Sequence, residues 1–142
     1  MHILLTGGGS GGHFFPLIAV GRELKKLGEA EGVKVRLHYM GPTDFGRDRL
    51  RLENITVHQV SVAKWRRYAS VANLTDLVKI PLGMLQAAWS LFWIMPDVIF
   101  SKGGYGSLPA LWLSRLYRIP VMIHESDTVP GLANRYGAKF AK

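Results

Sequence analysis

The sequence predicts an α/β domain, a Rossmann-like, doubly wound parallel sheet flanked by helices. Two observations carry that expectation. Short apolar runs with strand character alternate with longer segments of helical periodicity, the pattern that sets parallel strands in one sheet with helices over its faces. The three most polar motifs, around His13, Gly103 and His124, each follow directly on one of the apolar runs. In such a sheet ligands bind outside the carboxyl ends of the strands, so the three motifs are expected to meet along one edge.

The elements follow in order. Met1 to Thr6 reads as a first strand running into Gly7-Gly8-Gly9-Ser10-Gly11-Gly12-His13. A helix is expected with Pro16 in its first turn, and Leu17, Val20, Leu24 and Leu27 on one face, until Gly28 ends it. Val33, Val35, Leu37 and Tyr39 alternate with polar residues as a second strand does, which completes a right-handed βαβ unit. After Gly41-Pro42, Thr43 or Asp44 is placed to cap a short basic helix through Arg51, and Ile55 to Val60 reads as a third strand. A long apolar helix is expected from Asn73 or Thr75 to Met95, then a strand Val98-Ile99-Phe100 and a second glycine loop, Gly103 to Ser107. A helix from about Pro109 to Tyr117, a strand over 120–123 and a final turn and helix from Pro130 complete the chain.

Composition narrows the partners. With 142 residues, 48% hydrophobic and 20% charged, the chain is globular in balance and sized for one domain or part of one. The order of elements leads to the expectation of a further strand beyond Lys142. Cysteine is absent, which removes disulfides and thiolate nucleophiles from consideration. The N-terminus lacks the basic start and long apolar centre of a signal peptide and reads as a strand. A net charge of +8 points to an anionic partner. Nucleic acid is not expected, because no recognisable binding module accompanies the charge.

The first glycine loop is the strongest local signal. Glycines let a backbone turn through positive φ and let a ligand approach the main chain, and the following helix start favours an anion. Gly7, Gly9 and Gly12 formally satisfy the dinucleotide pattern, but the acidic residue that would hold a ribose is missing where Tyr39-Met40-Gly41-Pro42 stands. No Lys-Ser/Thr pair follows the loop, so it is not a P-loop. No cofactor is expected. His13 beside the loop is a candidate general base, since a neutral imidazole can accept a proton, and Glu125 is a candidate to orient it or to act itself. His2, His38 and His58 fall within or beside strands and read as structural or exposed. No metal site is expected, because His124-Glu125 lacks the second histidine of H-E-x-x-H. The apolar helix falls short of a membrane span, interrupted by Lys79, Pro81, Gln86 and Ser90, and most of it is expected to be buried. Its crowded end, with Trp89, Phe92 and Trp93, and the upstream Trp65, Arg66 and Arg67 make a candidate surface for an acidic membrane.

Taken together, Gly7 to Pro16, then Gly103-Gly104-Tyr105-Gly106-Ser107-Leu108-Pro109, then His124-Glu125-Ser126-Asp127 with Gly131 and Asn134-Arg135, resemble the N-terminal domain of the MurG family over almost the whole chain. That family comprises the bacterial N-acetylglucosaminyltransferases of peptidoglycan synthesis. The resemblance implies the N-terminal half of a GT-B glycosyltransferase that moves N-acetylglucosamine from UDP-N-acetylglucosamine to an undecaprenyl-pyrophosphoryl-linked muramoyl-pentapeptide, with inversion. It implies an enzyme peripheral to the cytoplasmic face of the cell membrane, whose C-terminal donor domain lies outside this chain. Carried onto this sequence, Ser10, Gly11 and Gly12 would contact the donor and His13 would be the base. Gly8, Gly9, Gly103, Gly104, Tyr105 and Ser107 would receive the acceptor's pyrophosphate.

One motif departs from the family. Where the family usually has His-Glu-Gln-Asn, this chain has Ser126 and Asp127. Asp127 stands where the family's asparagine contacts the donor sugar; a carboxylate accepts hydrogen bonds from hydroxyls but donates none. Gly106 also replaces a frequent valine. Two alternatives stay open: another GT-B transferase, or a non-catalytic acceptor half of a split enzyme that recruits its partner to membranes.

Overall fold

A computed structural model describes residues 1–8, 10–42, 46–63, 71–139 and 141, with the side chains of 71–78 left aside. Five strands, β1 (His2–Gly7), β2 (Arg36–Gly41), β3 (Thr56–Gln59), β4 (Val98–Gly103) and β5 (Val121–Ile123), form one sheet in the order β3-β2-β1-β4-β5. Every pairing is parallel. The expected doubly wound α/β sheet is therefore present. Its order reverses between β1 and β4, the place where such sheets open a crevice at their carboxyl edge.

Side-chain alternation along the strands builds two cores, one on each face. On one, Leu4, Met40 and Ile99 pack against Ala87, Leu91 and Ile94 of α3 (Val71–Ile94) and against Leu111 of α4 (Leu108–Tyr117). On the other, Ile3, Leu5, Leu37 and Tyr39 pack against Phe14, Leu17 and Ile18 of α1 (Gly11–Ala30) and Leu50 of α2 (Arg47–Leu52). A short helix, α5 (Leu132–Gly137), closes the chain's described part.

Several boundaries differ from expectation. Helix α1 starts at Gly11, so Pro16 lies inside it. Gly28 does not end it: a Cβ there would stand 2.5 Å from Val35 Cγ2 and 2.7 Å from the Val33 carbonyl. That glycine serves close packing, and the chain turns instead at Gly32, whose φ is +66°. Val33 is consequently exposed, and β2 begins only at Arg36. Strand β4 runs beyond Phe100 to Gly103, so the second glycine loop begins as strand. The expected capping by Thr43 or Asp44 and the membrane candidates Trp65, Arg66 and Arg67 lie outside the described residues.

Helix α3 corrects the expectation of a mostly buried helix. Ala87, Leu91 and Ile94 face the core, while Ile80, Leu82, Leu85, Trp89, Phe92 and Trp93 are exposed, Trp89 and Trp93 by 67% and 68%. One layer of helix covers this face of the sheet, so only one stripe of α3 finds a partner. Trp93 packs edge-on against both Trp89 and Phe92, which makes the outer face a continuous aromatic surface. Among the described residues no helix is long and apolar enough to cross a membrane.

Candidate active site

The carboxyl ends of β1, β4 and β5 bring the three motifs to one edge, as expected. The first loop turns on Gly7 and Gly8 and enters α1 at Ser10, whose backbone is extended and whose carbonyl accepts the N–H groups of His13 and Phe14, each at 3.2 Å. Ser10 makes no side-chain cap, and its hydroxyl stays exposed beside the helix start. The first N–H groups of any helix lack intrahelical acceptors, so those of Gly11 and Gly12 are donors available to a ligand. Behind the loop, the buried Tyr39 hydroxyl donates towards the Gly7 carbonyl (2.9 Å) and the Pro42 carbonyl (3.1 Å), fixing the turn from the neighbouring strand. Gly9 lies outside the described residues.

The second loop is held against the first. Gly104 has φ +81° and ψ 167°, a conformation essentially reserved for glycine, and a Cβ on it would stand 2.6 Å from the Gly8 carbonyl and 3.4 Å from His13 Cδ2. The imidazole of His13 thus sits on the Gly104 backbone. Its Nδ1 is enclosed without a hydrogen-bond partner among the described residues. Ser107, expected to face a pyrophosphate, is instead fully buried and donates its hydroxyl to the Gly104 carbonyl at 2.9 Å, so it shapes the loop from behind. Tyr105 opens the 3-10 turn Tyr105–Ser107 and lines an apolar cavity of about 300 Å³ with Met84 and Trp112.

The third motif corrects the role expected for Glu125. Its carboxylate accepts the N–H groups of Ser126 (2.8 Å), Asp127 (3.0 Å) and Gly131 (3.3 Å) and the Asn134 amide (2.8 Å). These donors, the Asp127 N–H foremost and the Asn134 amide next, pull its pKa down to about 2. With four donors on it, and with His13 Nδ1 unpartnered, Glu125 neither orients His13 nor stands ready to take a proton. It ties the loop 124–131 into one rigid piece. Asp127 is exposed at the edge, where the resemblance puts a donor contact.

Two residues join the site to which the sequence reading gave no role: Asn134, named there only among the residues that carry the resemblance, and Lys102. Asn134 is buried with its amide on Glu125 and its Oδ1 unpartnered, and it lies where a Cβ on Gly103 would be, 2.5 Å from that oxygen. Lys102, 1% exposed, reaches from the end of β4 to donate to Ser126 Oγ at 2.8 Å. The available signal was a lone cation at the end of an apolar strand, immediately before glycine. Among the described residues no group of three or more His, Cys, Asp or Glu is arranged to hold a metal ion.

This geometry defines a class: a doubly wound α/β domain with two glycine loops and a histidine along the carboxyl edge of its sheet. The family described as glycosyltransferase family 28 N-terminal domain matches residues 3–142, and the chain belongs to that family. Among curated relatives, the UDP-N-acetylglucosamine–N-acetylmuramyl-(pentapeptide) pyrophosphoryl-undecaprenol N-acetylglucosamine transferase of Treponema pallidum (strain Nichols) is 42% identical over 141 residues, 98% of this chain and 35% of the relative. The protein of the same name from Clostridium kluyveri is 41% identical over 140 residues, 97% of this chain and 38% of its own length. The chain therefore spans little more than a third of these relatives. Among solved structures, the crystal structure of Acinetobacter baumannii MurG superposes with a TM-score of 0.79 at 29% identity, over 99% of this chain and 40% of that one. The Streptomyces sp. SF2575 glycosyltransferase SsfS6, at 16% identity and TM-score 0.61 over 98% of this chain and 43% of that one, shares the fold.

Proposed function

We propose that this chain is the acceptor-binding half of an inverting transferase that moves N-acetylglucosamine from UDP-N-acetylglucosamine to the C4 hydroxyl of a lipid-linked muramoyl-pentapeptide in peptidoglycan synthesis. The observation that carries the reading is the placement of His13 against Gly104, where the two glycine loops meet at one sheet edge. The family and the names of its relatives supply the substrates.

In this reading the acceptor's pyrophosphate lies along Gly8, Gly9, Gly103 and Gly104, held by the start of α1 and by loop N–H groups other than that of Gly103, which donates to Ser101 Oγ at 3.2 Å. The acceptor hydroxyl then comes within reach of His13. Its Nδ1 is enclosed, so Nε2 is assigned to take the proton. The hydroxyl oxygen forms a bond to the anomeric carbon as the bond to the UDP oxygen breaks on the opposite face, and UDP leaves with the electron pair. Ser10, Gly11, Gly12 and Asp127 face the donor, which the resemblance assigns mainly to a C-terminal domain beyond this chain. The outer face of α3, with Trp89, Phe92 and Trp93, lies against the anionic lipid surface that carries the acceptor, on the cytoplasmic side.

The test is a transfer assay with the complete two-domain protein, UDP-N-acetylglucosamine and the lipid-linked acceptor, comparing wild type with His13→Ala. A general base contributes about 10²- to 10⁴-fold, so the variant should lose that much in kcat. Wild-type rates in His13→Ala would remove His13 as the base, and no transfer by the wild-type protein would remove the reaction.

A further inference from the structure

Lys102 is the feature the reading above leaves unexplained. Lysine is almost never fully buried unless paired, and an uncompensated buried charge costs several kcal/mol. Yet the ion pairs among the described residues, Arg22–Glu53, Lys26–Glu23 and Arg49–Glu53, leave it without a carboxylate. Glu125, one residue from its partner, has its oxygens occupied by loop N–H groups and Asn134. The one hydrogen bond Lys102 makes among the described residues goes to Ser126 Oγ. A lysine that merely closed a strand end would be expected on backbone carbonyls, and a methionine would fill the same space without the cost.

The chemistry of that bond gives the lysine a use. An ammonium only donates, so Ser126 Oγ must accept from Lys102, and the serine's own hydrogen has to point elsewhere. Ser126 is exposed at the site edge while Lys102 is sealed behind it. The hydroxyl therefore presents a donor outwards, with a fixed positive charge 2.8 Å behind its oxygen.

We propose that Lys102 is a positioning residue that turns Ser126 into a charge-backed donor for a phosphate oxygen of a diphosphate bound at this edge. The inference rests on the diphosphate reading of the glycine loops given above. It adds a side-chain anion contact, from the motif in which this chain departs from the familiar His-Glu-Gln-Asn.

The experiment is titration calorimetry on this chain with inorganic pyrophosphate, then with UDP-N-acetylglucosamine and with farnesyl diphosphate, for wild type, Lys102→Met, Ser126→Ala, Ser126→Thr and the Lys102→Met/Ser126→Ala double variant. Thermal midpoints are recorded alongside. Lys102→Met and Ser126→Ala should each weaken pyrophosphate binding by about tenfold or more, in line with loss of a charge-assisted bond. The double variant should be no weaker than either single one, because the two act as one unit. Ser126→Thr, which keeps the hydroxyl, should bind like wild type, a rescue that a purely packing role would not give. Once pyrophosphate binding is weakened, an accompanying loss with the nucleotide sugar alone assigns the contact to the donor, and one with the prenyl diphosphate alone assigns it to the acceptor. Wild-type affinity in Lys102→Met, or a loss in Lys102→Met that Ser126→Ala does not share, overturns the proposal while leaving the diphosphate site intact. Absence of pyrophosphate binding by the wild type overturns the diphosphate reading itself. Should Lys102→Met fail to fold, the exposed Ser126 variants decide alone, unchanged affinity in Ser126→Ala being the overturning result.

Discussion

Histidines occupy two regions of this domain in opposite ways. At the carboxyl edge of the sheet, His13 stands on a glycine backbone with Nδ1 enclosed and unpartnered. Further down the sheet, on the face shared with Leu4 and Met40, three strands contribute a ladder: His38 Nδ1 lies 3.1 Å from His58 Nε2, and His38 Nε2 lies 3.2 Å from His2 Nδ1. A neutral imidazole has one donor and one acceptor, so three in a row satisfy one another. The difference separates a ring whose Nδ1 has no hydrogen-bond partner among the described residues from rings that have become each other's structure. It also explains why the sequence reading of His2, His38 and His58 as structural or exposed describes them correctly without revealing their contact.

The comparison can be broken most severely at His13. Replacing it with glutamine, which keeps polarity but not proton affinity, should lower kcat of the complete transferase by about 10²- to 10⁴-fold with little change in thermal midpoint. A large loss of stability would instead make His13 a structural residue like the other three. Next in size is Gly104→Ala. The glycine-only conformation and the 2.6 Å approach to the Gly8 carbonyl should cost about 1–3 kcal/mol, read as a lower midpoint in thermal unfolding, and should disturb the seat of His13 at the same time.

The ladder makes a pH prediction. Burial, then the neighbouring His58, His2 and Arg36, push His38 down to about 4, and burial lowers His58 as well. The folded protein thus binds fewer protons than the unfolded chain between pH 6.5 and about 4, so stability is complete above 6.5 and falls as the pH drops through that window. For half-exposed rings the loss is of order 1 kcal/mol after solvent screening. His38→Asn should flatten the thermal midpoint between pH 7 and pH 5, and an unaltered slope would remove the ladder as its source. Glu125 carries the same sign in a lower range, since its contribution is present above the ordinary carboxylate pKa and is lost as pH falls towards 2. Glu125→Ala should loosen residues 124–131, seen as faster amide exchange there, while the ladder region keeps its protection. The smallest effect on stability is expected for Trp89→Ala and Trp93→Ala, near zero because both are exposed, while sedimentation with anionic vesicles should fall.

Much of this was legible in the chain itself. Alternating apolar and amphipathic segments determined the sheet, and the position of His13, Gly103 and His124 after strands determined their shared edge, because parallel strands all point the same way. Gly28 and the exposed Ile80, Leu82 and Leu85 of α3 were misread for one reason, while the exposure of Trp89, Phe92 and Trp93 was anticipated: periodicity says that a residue is apolar or small, and only the neighbour decides whether that is for burial, turning or close approach. The same holds for polar roles. Ser107, Glu125 and Lys102 are chemically able to meet a ligand, but hydrogen-bonding capacity is finite, and the structure spends it differently on each. Ser107 is committed to the Gly104 carbonyl, Glu125 to its own loop, and Lys102 to a hydroxyl that it turns outwards. Pairings such as Lys102 with Ser126 or His2 with His38 join residues 24 and 36 positions apart, set by strand register and loop path. The sequence alone therefore determined which edge the three motifs would share and which residue types were available there, and the tertiary structure decided which of their atoms are already committed to partners within the fold.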